Sequence, residues 1–219
     1  MKFQREMLTL YAVTDRTWLN GRTLAEVVEQ AIRGGATMVQ LREKDKTPDE
    51  ILASAREILP VCHKYGVPFI MNDSIELARA AGADGVHLGQ SDVPGDNVRA
   101  LAGDLILGLS ANTVESAQRA QALGADYLGV GAVFGTTTKH DARHLSPEKL
   151  REITGAVQIP VVAIGGIGAG NILELAGCGV QGAAVVSALF AQEDPRQAAR
   201  DLRDKAERMR QEDNGNENN

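Results

Sequence analysis

Clusters of polar residues recur at the ends of short apolar segments along this chain, and this recurrence restricts its fold more than any other feature. From the N-terminus onward, the clusters occupy residues 40–44, 72–73, 87–92, 110, 136–139, 164–167 and 186–187. Between them lie helix-like segments of roughly 10–20 residues, a normal length for globular helices. A strand that ends in polar side chains and precedes a helix, repeated around a ring, is the construction of a (β/α)8 barrel.

The chain can be divided into eight such strand–helix units. The segments that predict strands cover residues 8–15, 38–44, 68–73, 85–90, 105–111, 127–134, 160–167 and 182–189. N-capping residues mark helix starts, as at Thr23 and at Thr47, where Pro48 and Glu50 take their preferred places in the first turn. The sequence therefore predicts an α/β fold, a single-domain (β/α)8 TIM barrel over residues 1–210, with the polar residues 211–219 as a disordered tail.

An open, doubly wound sheet is the alternative that the same units could build. The glycine-rich residues 165–170 loosely resemble a dinucleotide-binding loop. They come late in the chain, however, and no acidic residue follows at the expected spacing of ~20 residues. The repeat of eight units favours closure into a barrel.

Composition narrows the class of function. Hydrophobic residues make up 43% and aromatic residues 4%, so Val, Ile, Leu and Ala must fill the core, as in buried parallel strands. A net charge of −6 argues against nucleic acid as a partner. With no apolar run near the ~18 residues of a membrane helix and no signal-peptide pattern, we expect a cytoplasmic protein without a membrane partner. Cys62 and Cys178 are expected to be buried thiols.

The second predicted strand ends in residues suited to phosphate. Gln40, Arg42 and Lys44 alternate along it, so their side chains share one face. If this face points into the barrel, the Arg fork and the Lys charge line its mouth and can bind phosphate oxygens. The alternatives are an exposed strand end or an ion pair with Glu43.

Carboxylates end the next two predicted strands. Asn72 and Asp73 end the third strand and Asp92 follows the fourth, so the two carboxylates are expected at neighbouring positions on the rim. Such a pair can hold one Mg²⁺ together with waters and substrate phosphate oxygens. Helix capping by Asp73 and a turn role for Asp92 are the alternatives. Together with the cations of the second strand, these residues predict a metal–pyrophosphate clamp.

A second anion pocket is predicted on the opposite side of the mouth. Its candidates follow strands six to eight: Thr136, Thr137, Thr138, Lys139, Gly165, Gly166, Val186 and Ser187. Hydroxyls, an ammonium and glycine backbone N–H groups all donate to phosphate, and the last two βα loops are the usual phosphate site of this fold. A plain polar loop at 136–139 is the alternative. His87 is expected to be a hydrogen-bonded core residue. No nucleophile–base pattern stands out, which indicates catalysis by positioning and electrostatics.

These motifs, in this order and spacing, resemble those of the thiamine-phosphate synthases, also called thiamine-phosphate pyrophosphorylases. The resemblance covers essentially the whole ordered chain. It rests on Gln-Leu-Arg-Glu-Lys at 40–44, Asn-Asp at 72–73, His-Leu-Gly-Gln-Ser-Asp at 87–92, Ser110, Thr-Thr-Thr-Lys at 136–139, Ile-Gly-Gly-Ile at 164–167 and Val-Ser at 186–187. Each motif alone would be weak, but the set is specific.

The resemblance implies a transferase that joins hydroxymethylpyrimidine diphosphate to a thiazole phosphate, or to its carboxylated form, and releases pyrophosphate. It assigns one Mg²⁺ to Asp73 and Asp92. It assigns the pyrimidine diphosphate to Gln40, Leu41, Arg42, Glu43, Lys44, Asn72, Ser110 and Lys139, of which Arg42, Lys44, Ser110 and Lys139 are catalytic. It assigns the thiazole phosphate to Thr136, Thr137, Thr138, Gly165 or Gly166, Val186 and Ser187. The implied mechanism is dissociative: pyrophosphate leaves first, and the thiazole nitrogen then attacks a pyrimidine cation.

Three other functions fit the same fold. A thiazole tautomerase-like protein would bind a thiazole phosphate but handle no diphosphate, and a non-catalytic phosphometabolite-binding barrel would need no metal pair. A phosphosugar isomerase would need an acid–base pair, which we do not identify. The expected partners are small-molecule substrates, and the sequence is compatible with a homo-oligomer without specifying one.

Overall fold

The computed structural model describes residues 1–135 and 145–216. In these parts of the chain, parallel strands in sequence order close into a barrel. The strands are β1 (Leu10–Val13), β2 (Met38–Leu41), β3 (Phe69–Asn72), β4 (Gly85–Leu88), β5 (Ile106–Ala111), β6 (Tyr127–Gly131), β7 (Val161–Ile164) and β8 (Gly182–Val185). The barrel closes because β1 pairs with β8, with Leu10 opposite Ala183. The predicted (β/α)8 barrel is confirmed, and the open-sheet alternative is wrong.

Helices connect the strands on the outside of the barrel. They are α1 (Leu24–Gly34), α2 (Pro48–Lys64), α3 (Ile75–Ala81), α4 (Val98–Ala102), α5 (Val114–Ala122), α6 (Pro147–Gly155), α7 (Ser187–Phe190) and α8 (Pro195–Asn216). Thr23 and Thr47 cap α1 and α2 through reciprocal bonds with Glu26 and Glu50, so the first-turn pattern predicted from the sequence is present.

Three segments near the C-terminus differ from the prediction. The predicted helix after β7 is a 3-10 turn (Ile172–Leu175), and the apolar segment 182–189 divides into β8 and the short helix α7. An apolar run by itself does not distinguish a buried strand from a buried helix, so the sequence pattern does not show where β8 ends and α7 begins. Helix α8 continues to Asn216, although the sequence predicts disorder from residue 211. Extending a formed helix costs less free energy than starting one, so polar residues can continue α8. Residues 217–219 lie outside the described residues.

Two apolar layers hold the barrel together. The outer layer fills the space between strands and helices, where Cys62 and Cys178 are buried as expected. The inner layer fills the lower barrel with side chains such as Tyr11, Met38 and Tyr127. Below it, Phe3 from the N-terminal segment stacks on Tyr127 with ring centroids 5.7 Å apart. In the described part of the chain these side chains therefore fill the N-terminal end of the barrel.

No helix within the described ranges is both long enough and apolar enough to cross a membrane.

Candidate active site at the barrel mouth

A cavity of about 1040 Å³ opens at the C-terminal ends of the strands. It is lined by residues from most of the strands and the loops after them, as the barrel geometry requires. The predicted site residues that line it are Gln40, Arg42, Lys44, Asn72, Asp73, Asp92, Ser110, Gly165, Gly166, Val186 and Ser187. The structure therefore brings both predicted anion pockets to one cavity.

Two of the predicted residues turn away from this cavity. Leu41 is buried in the outer apolar layer, and Glu43 forms an ion pair with Arg16 at 2.6 Å. Neighbouring residues of a strand face opposite sides, so Leu41 and Glu43 cannot share the orientation of Gln40 and Arg42. Their predicted part in substrate binding is therefore left to their backbone groups. Thr136, Thr137, Thr138 and Lys139 lie outside the described residues.

The end of β2 directs an amide and two cations to the cavity. Gln40 is buried, and its Nε2 donates to the Tyr11 hydroxyl at 2.7 Å. The Arg42 backbone N–H donates to Thr14 Oγ1 at 3.0 Å, which fixes the chain where it leaves the strand. Because Arg16 pairs with Glu43, the alternative of an Arg42 or Lys44 pair with Glu43 is wrong. In the described part of the chain the Arg42 guanidinium has no ion-pair partner and stays available for an anion.

The two candidate metal ligands are held in different ways. Asp73 has a positive φ of 67° and pairs with Lys44 Nζ at 2.9 Å. Ser74, not Asp73, caps α3, so the capping alternative for Asp73 is wrong. Asp92 Oδ2 accepts the Gly89 N–H at 3.0 Å, so its expected turn role is present. The carboxylate nevertheless lines the cavity, so the turn orients it without removing it from the site.

This donor set suits a cation that shares its ligands with water and substrate. No group of three or more His, Cys, Asp or Glu residues in the described ranges could enclose a metal ion. Mg²⁺ is usually bound by one or two carboxylates, with substrate phosphates and waters completing its octahedron. Asp73 and Asp92 on one rim, next to cationic Arg42 and Lys44, fit that pattern.

Glycines shape the opposite side of the mouth. Gly165 and Gly166 follow β7 with φ of 103° and 65°, a region that favours glycine. A Cβ on Gly165 would lie 2.5 Å from the Ala132 Cβ, so a side chain there would also collide. Ser187 begins α7 on the neighbouring β8 loop and lines the same cavity. Backbone groups at this rim can approach a ligand closely, as phosphate binding requires.

A buried hydrogen-bond network lies under the cavity, and sequence reasoning found only part of it. His87 is buried as expected, with Nε2 3.0 Å from Ser110 Oγ and Nδ1 3.1 Å from the Tyr127 hydroxyl. The Tyr127 hydroxyl lies 2.9 Å from that of Tyr11. The sequence motifs predict a role for neither tyrosine. The available signal was that aromatic residues are rare here and that each of these tyrosines lies within a strand.

Comparisons with known proteins show the family to which the chain belongs. Residues 10–189 match the model of a family described as thiamine monophosphate synthase. The thiamine-phosphate synthase of Clostridium tetani is 49% identical over 195 residues, which cover 89% of this chain and 93% of that protein. That of Ruminiclostridium cellulolyticum is 51% identical over 195 residues, with the same coverage of 89% and 93%.

A solved structure gives the same result in three dimensions. The thiamine phosphate pyrophosphorylase from Pyrococcus furiosus superimposes with a TM-score of 0.86 and 40% identity, covering 94% of this chain and 98% of that one. The family model extends from the first strand to the last, and all the cavity-lining residues of the two predicted pockets lie within it. The chain therefore belongs to the thiamine monophosphate synthase family of enzymes.

Proposed function

We propose that this enzyme forms thiamine phosphate by joining 4-amino-5-hydroxymethyl-2-methylpyrimidine diphosphate to a thiazole phosphate, with release of pyrophosphate. The carboxylated thiazole phosphate is included as a substrate, and its conversion to thiamine phosphate also releases carbon dioxide. One observation carries the proposal: Arg42, Lys44, Asp73 and Asp92 line a single cavity at the mouth of a barrel of this family. Cations beside paired carboxylates suit a metal-bound diphosphate, whereas an uncharged ligand would leave these charged side chains without a binding partner.

The chain's own groups are placed to hold the departing pyrophosphate. Arg42 offers two parallel donors to phosphate oxygens, and Lys44 adds a mobile point charge. Lys44 also pairs with Asp73 at 2.9 Å, so it connects the phosphate-binding cations to the proposed metal ligands. Mg²⁺ held by Asp73 and Asp92 would neutralise charge that grows on the leaving group.

The pyrimidine ring is placed deeper, against Gln40 and Ser110. Bond breaking leaves positive charge on the pyrimidine methylene, and the ring's amino group stabilises it. Such a step needs no protein nucleophile, which agrees with a cavity built from cations, carboxylates and amides. The contribution of Asn72, Gln40 and Ser110 is to hold the ring in place until the thiazole nitrogen attacks.

The thiazole phosphate is assigned to the glycine side of the mouth. Gly165, Gly166 and Ser187 supply backbone and hydroxyl donors there, with Val186 beside them. Thr136, Thr137, Thr138 and Lys139 are proposed to complete this side, with Lys139 reaching the pyrophosphate. A tautomerase-like or non-catalytic barrel would use this pocket alone and would leave the carboxylates and cations of β2–β4 without a role.

The test is pyrophosphate release from the two substrates together, with and without Mg²⁺, alongside measurement of thiamine phosphate. We expect metal-dependent release with one thiamine phosphate formed per pyrophosphate. Arg42→Ala should lower kcat/KM on the order of 100-fold, because charge stabilisation at the leaving group is lost. Arg33→Ala, which removes an exposed arginine at the end of α1, serves as the matched control. Folded wild-type protein that releases no pyrophosphate would overturn the proposal.

A further inference from the structure

A continuous chain of hydrogen bonds crosses the barrel interior between two residues of the cavity wall. Gln40 Nε2 donates to the Tyr11 hydroxyl at 2.7 Å, and that hydroxyl lies 2.9 Å from the Tyr127 hydroxyl. Tyr127 lies 3.1 Å from His87 Nδ1, and His87 Nε2 lies 3.0 Å from Ser110 Oγ. The hydrogen-bond chain thus joins Gln40 of β2 to Ser110 of β5 along the cavity floor, where Tyr11 and His87 also line the cavity.

With the Gln40 amide placed so that Nε2 faces Tyr11, the direction of every other link can be assigned in turn. The Tyr11 oxygen accepts from Gln40, and the Tyr127 oxygen is the one acceptor in the described ranges for the Tyr11 hydrogen, so we assign Tyr11 as the donor to Tyr127. We then assign Tyr127 as the donor to His87 Nδ1, and a neutral His87 ring carries its hydrogen on Nε2, facing Ser110. Ser110 accepts that hydrogen and keeps its own to donate. Burial raises the pKa of both tyrosines, so each retains its single hydrogen.

The two ends therefore present opposite groups to the cavity. With Nε2 of Gln40 engaged by Tyr11, the amide Oε1 is left as an acceptor, and no side chain in the described parts of the protein bonds to it. Ser110 presents a donor. If the Gln40 amide were reversed, every link would reverse and the ends would exchange roles.

Glycines on the inner wall make room for this chain. A Cβ on Gly129 of β6 would lie 2.9 Å from His87 Cε1, and a Cβ on Gly108 of β5 would collide with the Tyr127 ring. Glycine weakens a strand and usually marks a close approach of another group. Two strands thus carry a residue that costs stability and leaves space for the His87 and Tyr127 rings. These glycines are independent evidence that the sequence specifies the geometry of the hydrogen-bond chain.

We propose that the hydrogen-bond chain through Tyr11, Tyr127 and His87 sets Gln40 as an acceptor and Ser110 as a donor, so that the site selects an aminopyrimidine over its oxo analogue. The inference rests on the proposed function and concerns how that site recognises its ring. Tyr127 and His87 act through Gln40 and Ser110, so they are positioning residues.

The chemistry of the ring explains the selectivity. An aminopyrimidine donates from its exocyclic amino group and accepts at its ring nitrogens, which matches an acceptor on one wall and a donor on the other. The 4-oxo analogue has an acceptor in place of the amino group and carries hydrogen on a ring nitrogen. It would face like groups at both walls, and buried polar groups left unpaired give strong discrimination.

The experiment compares kcat/KM for the 4-amino and the 4-oxo pyrimidine diphosphates in wild-type protein, Tyr127→Phe and Tyr11→Phe. Each variant removes one hydroxyl and keeps the ring. Both lose the Tyr11–Tyr127 link, and in addition Tyr11→Phe loses the link to Gln40 and Tyr127→Phe the link to His87. Tyr65→Phe is the matched control, because Tyr65 follows α2 and donates its hydroxyl to Glu29 of α1, outside the network. The amino group's electronic effect on bond breaking is common to all variants and cancels when their ratios are compared.

We expect the amino-to-oxo ratio to fall at least about tenfold in Tyr127→Phe and Tyr11→Phe and to stay at the wild-type value in Tyr65→Phe. In a Ser110→Ala background, Tyr127→Phe should lower the ratio less than it does in wild-type protein, because one end of the chain is already lost. A purely structural role predicts lower thermal stability and an equal loss with both substrates. An unchanged ratio in both tyrosine variants would overturn the inference.

The proposed function is tested separately by the wild-type arm. If wild-type protein forms no thiamine phosphate from the 4-amino substrate, the proposed function fails before any variant is compared. If it forms product and the ratio does not change in the variants, only the positioning role fails.

Discussion

At the scale of single residues, the site uses side chains that already have a structural contact. Asp92 accepts the Gly89 N–H at 3.0 Å, and Ser91 Oγ lies 3.3 Å from its other oxygen. These bonds fix the carboxylate on a turn that would otherwise be free to rearrange. A carboxylate oriented in advance can join a metal site at a smaller entropic cost than a mobile one.

Replacing Asp92 by Ala is therefore expected to affect metal use first. We expect the Mg²⁺ concentration for half-maximal activity to rise on the order of tenfold or more and kcat to fall, since one of the two proposed carboxylate ligands is lost. Mg²⁺ titrations of activity would measure this. Asp96→Ala is the control, because Asp96 lies nearby on the surface, where it pairs with Arg119 at 3.5 Å. Unchanged Mg²⁺ dependence in Asp92→Ala would remove Asp92 from the metal site.

Single residues also show what the sequence could and could not reveal. The alternation of Gln40, Arg42 and Lys44 is a local property of a strand, and it predicted which side chains face the cavity. The motif that contains them also suggested Leu41 and Glu43, which that alternation turns away from the cavity. The contact between Tyr11 and Tyr127 joins positions 116 apart in the chain. Only the closed barrel brings them together, so no local pattern could predict it.

At the scale of elements, the first turn of α2, next to the site, is stabilised by hydrogen bonds to a charged carboxylate. Glu50 accepts from Lys46 and from the Thr47 N–H, at 2.9 and 2.8 Å. The side-chain bond from Lys46, followed by those from Thr47, lowers the pKa of Glu50 to about 2. This helix follows the loop that carries Arg42 and Lys44, so its first turn anchors that loop.

The lowered pKa of Glu50 predicts a definite acid dependence. A carboxyl whose folded pKa lies below its unfolded value of about 4.3 stabilises the protein above that value. The contribution is lost as pH falls through the window from about 4.3 to the folded value of about 2. Glu50→Gln keeps the capping hydrogen bonds but removes the charge. We expect it to lower the free energy of unfolding at pH 7, with the difference from wild type shrinking across this window.

Urea unfolding at several pH values would measure that difference. Glu57→Gln is the control, because Glu57 is an exposed residue in the middle of the same helix. A difference that stays constant from pH 7 to pH 3 would show that the charge of Glu50 does not contribute to stability.

The capping residues of α2 were evident in the sequence, because capping is local. The 3-10 turn after β7 was not, because glycine-rich segments permit several geometries.

At the scale of the whole molecule, closure depends on the first and last units meeting. Strands β1 and β8 pair directly, and α1 packs on α8. Gly34, the last residue of α1, lies where the two helices touch. A Cβ there would lie 2.6 Å from the Ala199 Cβ and would collide with the Arg196 carbonyl oxygen. Counting eight units in the sequence predicted that the ring closes, but not which residue permits the closest approach.

Gly34→Ala is expected to destabilise the fold by about 1–3 kcal/mol, because it forces an extra methyl group into a tight helix contact. Gly155→Ala is the matched control: Gly155 is also the last residue of its helix, α6, but a Cβ there would meet nothing within 4 Å. That change should be neutral or slightly stabilising, since alanine has fewer unfolded conformations. Equal unfolding free energies for the two variants would contradict the role given to the α1–α8 contact.

The closed lower end of the barrel has a consequence for traffic through the enzyme. Among the described residues, Phe3 stacked beneath Tyr127 and the apolar side chains of the inner layer close the lower barrel, and the cavity opens at the strand C-termini. A ligand of this cavity therefore enters and leaves at that end. In the proposed function, the pyrimidine ring lies against Gln40 and Ser110, below the thiazole phosphate at the rim. This arrangement predicts that the pyrimidine diphosphate binds before the thiazole phosphate and that the pyrimidine part of the product leaves last.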